Sequence, residues 1–254
     1  MLLTDTHTHI YYNEGEDLAQ QLERCMANHV HRLFLPNVDA ASIRQVFHTA
    51  NAYPEQCFPM LGLHPCSVKE NFEQELALIK KVLDHEKVYA IGEIGLDLYW
   101  DKSTFKAQQE AFRIQVDWAK EWRLPIVIHC RDAFDEQFAL LEELKDDRLF
   151  GIFHCFTGNL AQAKRAIDLG FFLGIGGVVT FKNAGLDKVV ENIDLAHIVL
   201  ETDAPYLAPT PYRGKPNESS YLIHIAQKVA NLHQTSLEEV ANITTQNSKI
   251  VFGI

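Results

Sequence analysis

His7 and His9 stand two residues apart at the end of the chain's first apolar run, Leu2-Leu3-Thr4-Asp5-Thr6-His7-Thr8-His9. Alternate residues of a strand point the same way, so both imidazoles face one side at its C-terminal tip. Two such donors form a rigid half-site for a divalent metal. More donors follow short β-branched or aromatic runs: Glu93 in Gly-Glu-Ile-Gly-Leu-Asp, His129 in Val-Ile-His-Cys-Arg, His154 in Phe-His-Cys-Phe-Thr-Gly and Asp203 in Glu-Thr-Asp-Ala-Pro. Four histidines and two carboxylates exceed the ligands of one zinc and suit two divalent ions sharing a bridging carboxylate. Glu93, with its longer side chain, is the expected bridge. His7, His9 and Asp203 complete one site, and His129 with His154 the other. Such ions, ~3.5–4 Å apart, acidify a shared water and polarise the group it attacks. Glu93 and Asp203 are the candidate catalytic residues, with Asp203 also a proton carrier.

Parity extends the set. Asp5 shares a face with His7 and His9, and Glu201 with Asp203, so each is placed to orient a ligand imidazole. Cys130 and Cys155 directly follow ligand histidines, and strand alternation turns them outward, under the helices. Substrate contacts are expected from His64 in Gly-Leu-His-Pro, from Arg131, and from Arg213 and Lys215 in the proline-rich stretch Pro205 to Pro216. These cations suit a phosphate or phosphodiester. Tyr11, Tyr12, Tyr99, Trp100, Phe156 and Tyr206 fall on loops at the same rim, where aromatics can stack on bases.

The elements that must carry these residues alternate along the chain. Strands are expected at 2–6, 32–36, 58–62, 88–92, 126–129, 150–154, 171–175 and 197–201. Helical patterns lie near 16–29, 40–52, 70–85, 104–123, 132–146 and 159–169, with a short one at 183–191 and two more near 219–232 and 236–250. Asp17 and Asn159 stand at N-cap positions, Gly170 at a C-cap, and Ser236 with Glu239 spells a capping box. Eight strand–helix pairs with polar residues after most strands point to a (β/α)8 TIM barrel, its site at the C-terminal strand ends. An open sheet would gather them at one switch point. No composition break divides the chain, so residues 1–254 read as one barrel domain.

Composition narrows the function. Lys and Arg number 23 against 34 Asp and Glu, a formal charge of −11. Such a surface does not hold nucleic acid by a general basic field, so a polyanion must be gripped locally. The five cysteines show no paired spacing, and no leader or membrane-length apolar run is seen. The expected setting is cytoplasmic, with no membrane and no obligate protein partner. Gly174-Ile175-Gly176-Gly177 lacks the spacing of a dinucleotide fingerprint, and neither a P-loop nor a Gly-x-Ser-x-Gly elbow occurs.

The motifs, in order, resemble those of the TatD family of metal-dependent deoxyribonucleases, within the amidohydrolase superfamily. They are Asp5-Thr6-His7-Thr8-His9, Gly62-Leu63-His64-Pro65, Gly92-Glu93-Ile94-Gly95-Leu96-Asp97, His129-Cys130-Arg131, His154-Cys155-Phe156-Thr157-Gly158, Glu201-Thr202-Asp203-Ala204-Pro205-Tyr206-Leu207 and Arg213-Gly214-Lys215-Pro216-Asn217-Glu218. The resemblance implies a (β/α)8 barrel, one or two divalent ions (Mg²⁺, Mn²⁺ or Zn²⁺) and hydrolysis of DNA phosphodiesters, commonly from strand ends. The implied substrate is DNA, single-stranded or at its ends. The same metals also suit the hydrolysis of a small amide, lactone or ester. The chain departs from the family pattern at Tyr11, Leu98 and Ser219, none of them a candidate ligand.

Overall fold

The computed structural model describes residues 1–12 and 18–254. Its parallel strands are β1 (Leu3–Asp5), β2 (Val30–Pro36), β3 (Cys57–Met60), β4 (Ile91–Asp97), β5 (Ile126–Arg131), β6 (Gly151–Phe153), β7 (Phe171–Ile175) and β8 (Ile198–Leu200). They pair in chain order as β1-β2-β3 and β4-β5-β6-β7-β8. A bridge between Leu61 and Ile91 joins the two sets. The Thr6 N–H donates to the Leu200 carbonyl at 3.0 Å and closes the ring from β8 to the end of β1. The fold is a (β/α)8 barrel, which leaves no sheet edge exposed.

The helices are α1 (Leu18–Ala27), α2 (Ile43–Ala52), α3 (Phe72–Leu83), α4 (Phe105–Trp122), α5 (Phe134–Leu144), α6 (Leu160–Asp168), α7 (Leu186–Val190), α8 (Leu222–His233) and α9 (Leu237–Phe252). In α4 the buried residues are Gln108, Ala111, Phe112, Gln115, Val116, Trp118 and Ala119, a stripe at helical spacing. Its two glutamines do specific work on that buried face. Gln108 Oε1 accepts from the Asp97 N–H (2.9 Å) and its Nε2 donates to the Asp97 carbonyl (3.1 Å). Gln115 Oε1 accepts from the Leu63 N–H at 2.6 Å. One helix thus holds the tips of two strands, those bearing Asp97 and His64.

Strand parity separates two cores. Outward residues such as Leu33, Leu35, Ile126, Ile128, Ile198 and Leu200 join the large cluster beneath the helices. Phe34, Val127, Ile152 and Val199 form a second cluster with Phe58, Met60 and Phe252. Phe252, from the end of α9, stacks on Phe34 with centroids 3.6 Å apart. Val127 has the parity of His129, and Val199 that of Glu201, so an apolar floor lies beneath a polar mouth.

Most expected elements fall within a few residues of their observed bounds. The clearest difference is β4, expected at 88–92 and found at Ile91–Asp97. Gly92 and Gly95 lie inside the strand, where they permit close backbone approach. A Cβ on Gly95, whose φ is +144°, would meet the His129 carbonyl oxygen of β5 at 2.0 Å. Glu93 is therefore inside β4 rather than after it. Gly95→Ala is expected to destabilise the protein by about 3 kcal/mol or more, from overpacking plus backbone strain. A urea midpoint equal to wild type would refute that.

The caps divide. Asn159 Oδ1 accepts from the Gln162 N–H (3.0 Å) and Gln162 Oε1 from the Asn159 N–H (2.9 Å), a full capping box on α6. Gly170, at φ +90°, follows that helix and donates its N–H to the Ile167 carbonyl. On α9 only half the expected box forms. Ser236 Oγ accepts from the Glu239 N–H at 3.1 Å, while the Glu239 carboxylate takes the Thr235 hydroxyl instead. Asp17 lies outside the described residues. No described helix is long and apolar enough to cross a membrane.

Candidate metal centre

Glu93 sits at the centre of five imidazoles. Its Oε1 is 2.8 Å from His129 Nδ1, 3.3 Å from His64 Nε2 and 3.5 Å from His154 Nε2. Its Oε2 is 3.2 Å from His7 Nε2 and 4.0 Å from His9 Nε2. Asp203 closes the other side, its Oδ1 3.7 Å from His9, 3.9 Å from His7 and 4.0 Å from His154. Burial would raise the Glu93 pKa, but His64, His154 and His7 outweigh it and hold the carboxyl well below its usual range. Asp203 shifts the opposite way. Burial pushes it well above the usual carboxylate range, with His154 opposing and Glu93 reinforcing.

The strands and their extensions explain the convergence. β1 ends at Asp5, yet the chain that follows stays hydrogen-bonded to its neighbours. The Thr8 N–H donates to the Phe34 carbonyl (3.0 Å), the His9 N–H to Ala204 (2.7 Å) and the Asp203 N–H to His7 (2.9 Å). Asp5 supports this seam through the backbone rather than by touching an imidazole. Its Oδ1 accepts from the Thr202 N–H at 2.9 Å and the His7 N–H at 3.3 Å, while its Oδ2 takes the Thr202 hydroxyl. Asn217 donates to the Thr202 and Tyr206 carbonyls (2.8 and 2.7 Å), ordering the proline-rich loop.

Partners behind the ring set which nitrogen faces inward. The Tyr11 hydroxyl gives its one proton to the Pro36 carbonyl, so at 2.9 Å it must accept from His9 Nδ1–H. The lone pair of His9 therefore lies on Nε2, toward Glu93 and Asp203. Glu201 Oε1 lies 3.0 Å from His154 Nδ1 and accepts from the Cys155 N–H at 2.6 Å. Asp97 Oδ2 holds His129 Nε2 at 2.8 Å. Burial alone would lower the His129 pKa, but its hydrogen bonds to Asp97 and Glu93 lift it to about 9. Burial lowers His7, His9 and His154, leaving them neutral with free lone pairs.

Asp97 is the residue that sequence reasoning missed, although it closes the Glu93 motif. Its signal was spacing: Glu93, Gly95 and Asp97 alternate along one strand.

The donor set fits divalent cations. His7 is fully buried, and neither ring nitrogen makes a hydrogen bond; His154 Nδ1 and Glu201 Oε2 are likewise unbonded. Close N–O distances there lack hydrogen-bond geometry, which is costly in a dry interior unless a cation takes the lone pairs. Ligand atoms lie within 4.8 Å of one another in His7–His9–Asp203, His7–Glu93–His154, His64–Glu93–His129 and His154–Cys155–Glu201. Thus His64, expected on the substrate, stands among the potential ligands. His129 groups with His64 rather than with His154. Added Zn²⁺ or Mn²⁺ at a hundredfold over its Kd should stabilise the fold by about 3 kcal/mol, reversed by a chelator. An unchanged thermal midpoint in both conditions would count against metal binding.

Other expected residues divide. Arg131 lines the same cavity of ≈ 1240 Å³ as His9, Glu93, His154 and Asp203. Arg213 and Lys215 do not. The Arg213 guanidinium packs over the Phe181 ring at 3.6 Å, and the Lys215 N–H closes a turn onto the Tyr212 carbonyl. Their loop folds back onto the segment after β7, which no local pattern reveals. Cys155 also departs from strand alternation. At φ +43° it has left the strand, and its Sγ sits near His154 and Glu201.

A protein-family model described as TatD related DNase matches residues 4–253. The chain belongs to the TatD family. This membership places it among metal-dependent hydrolases. A similar relative is YabD of Bacillus subtilis, named an uncharacterised metal-dependent hydrolase, 41% identical over the whole of both chains. The solved TatD homologue YjjV of Escherichia coli superimposes with a TM-score of 0.93 at 29% identity, covering 99% of this chain and 98% of that one. A variant organophosphorus hydrolase from Deinococcus radiodurans shares the barrel alone, with a TM-score of 0.67 at 14% identity over 99% and 93% of the two chains.

Proposed function

We propose that this TatD-family protein hydrolyses phosphodiester bonds in DNA, removing nucleotides from strand ends, with two divalent cations (Mg²⁺, Mn²⁺ or Zn²⁺). The observation that carries the reading is the Glu93 carboxylate, shared among five imidazoles with Asp203 beside them. His7, His9 and Asp203 would hold one cation, Glu93 both, and His129 with His64 the other, with His154 grouped beside His7 and Glu93. Bound there, the cations supply an acidified water and polarise the phosphoryl oxygens.

The chain's own residues supply the rest. Asp203, its side chain 14% exposed in the cavity lining, takes a proton from the attacking water or returns one to the leaving oxygen. Arg131 pairs with a non-bridging phosphate oxygen. Tyr11 and Asp97 keep the inward nitrogens of His9 and His129 in place. The five free cysteines support a reducing, cytoplasmic setting.

End-labelled single-stranded DNA should be shortened with Mg²⁺ or Mn²⁺ and left intact with a chelator. The net charge of −11 favours a second reading, hydrolysis of a small amide, lactone or ester, because it repels polyanions. A lactone and carboxylester panel separates the two: turnover there with none on DNA would replace the nuclease reading.

A further inference from the structure

Trp100, in the loop after β4, is the most exposed large apolar side chain among the described residues, at 69%. Leaving an indole in water is unfavourable, and an exposed one at a catalytic mouth points to a ligand with an apolar face. Trp100 lines the same cavity as Glu93, His129 and Arg131. Tyr99, 52% exposed, meets it edge to face with centroids 4.9 Å apart at 89°. The Arg131 guanidinium lies 3.7 Å over the Tyr99 ring and 5.4 Å from that of Trp100. The Arg131 side chain is exposed, and the contacts it makes here are with these two rings. An aromatic face positions a cation without neutralising it, so its charge remains for an incoming anion.

The cluster is tied to the metal centre by one carboxylate. Asp97 Oδ1 accepts the backbone N–H groups of Tyr99 (3.0 Å) and Trp100 (3.1 Å), while Oδ2 holds His129. The residue that orients a candidate ligand therefore also fixes the loop bearing the indole. A flat ring and an exposed cation, held beside a hydrolytic centre, match the two faces of a nucleotide.

We propose that Trp100 and Arg131 form a nucleotide subsite: the indole stacks on the base next to the cleaved bond and the guanidinium pairs with the adjoining phosphate. The inference rests on the nuclease reading and adds to it the residues that grip the base and its phosphate.

The test is binding in EDTA, by fluorescence anisotropy, of a labelled hexathymidylate and of an abasic phosphodiester oligomer of equal length. Wild type should bind the base-bearing oligomer about tenfold more tightly. Trp100→Ala should erase that preference and Trp100→Phe retain it. Circular dichroism should stay unchanged, because the side chain is exposed. Arg131→Gln should weaken both oligomers alike and reduce the salt dependence. Equal binding of both oligomers by wild type, absence of binding, or a preference that survives in Trp100→Ala would overturn the subsite. A Trp100-dependent preference in a wild-type protein that cleaves no DNA with any cation would support the subsite and remove the nuclease reading.

Discussion

Glu93→Gln is expected to lower kcat/KM by more than about a hundredfold, the upper end for losing a residue that merely orients a ligand. The substitution keeps shape and removes charge. Five imidazoles lie within 4.0 Å of the native carboxylate, three toward Oε1 and two toward Oε2. Among the described residues, no other side chain reaches every histidine of the ring. A neutral amide presents one oxygen and one NH₂, so it cannot serve both sides at once. Metal content and turnover should therefore fall together. Metal analysis of the purified variant, paired with the nuclease assay, checks this; a fully loaded and active variant would remove Glu93 from the centre.

Asp203→Asn should separate what Glu93→Gln joins. Turnover is expected to fall by about 10²–10⁴-fold, the range for losing a general acid or base. Metal content should change far less, since His7 and His9 keep their positions and the amide oxygen remains a donor. Burial pushes the Asp203 pKa well above the usual carboxylate range. A raised pKa means the carboxylate is lost as pH falls through that value. The wild-type rate should fall on that acid side, and the variant should lose that dependence. Equal losses of metal and turnover would make Asp203 a structural ligand only.

Both variants act on residues legible in the linear chain, and the reason is local. A histidine or carboxylate at a strand's C-terminal end is announced by the apolar run before it. Eight such runs alternating with helical patterns leave few architectures. The His7–His9 spacing, the parity of Glu201 with Asp203, and the Asn159 cap follow from backbone periodicity within a few residues. The cations of the strand-8 loop do not. Arg213 and Lys215 have the right chemistry, but the placement of their loop depends on Phe181, some thirty residues away.

Other features depended on distant partners as well. β4 continues through Gly92 and Gly95 because β5 approaches too closely for a Cβ, which only the paired strands reveal. His64 joins the ring because Gln115 of α4 grips the backbone at Leu63. Cys155 turns inward through a backbone bend at φ +43° that the alternation rule does not foresee. By itself the sequence determined the barrel, the six candidate donors and the polar end at which they lie, because period and residue type act over a few neighbours. Only the tertiary structure decided which nitrogens face the centre, that Asp97 serves both His129 and the Trp100 loop, and which cations reach the cavity. Those depend on contacts between residues far apart in the chain, which no local pattern encodes.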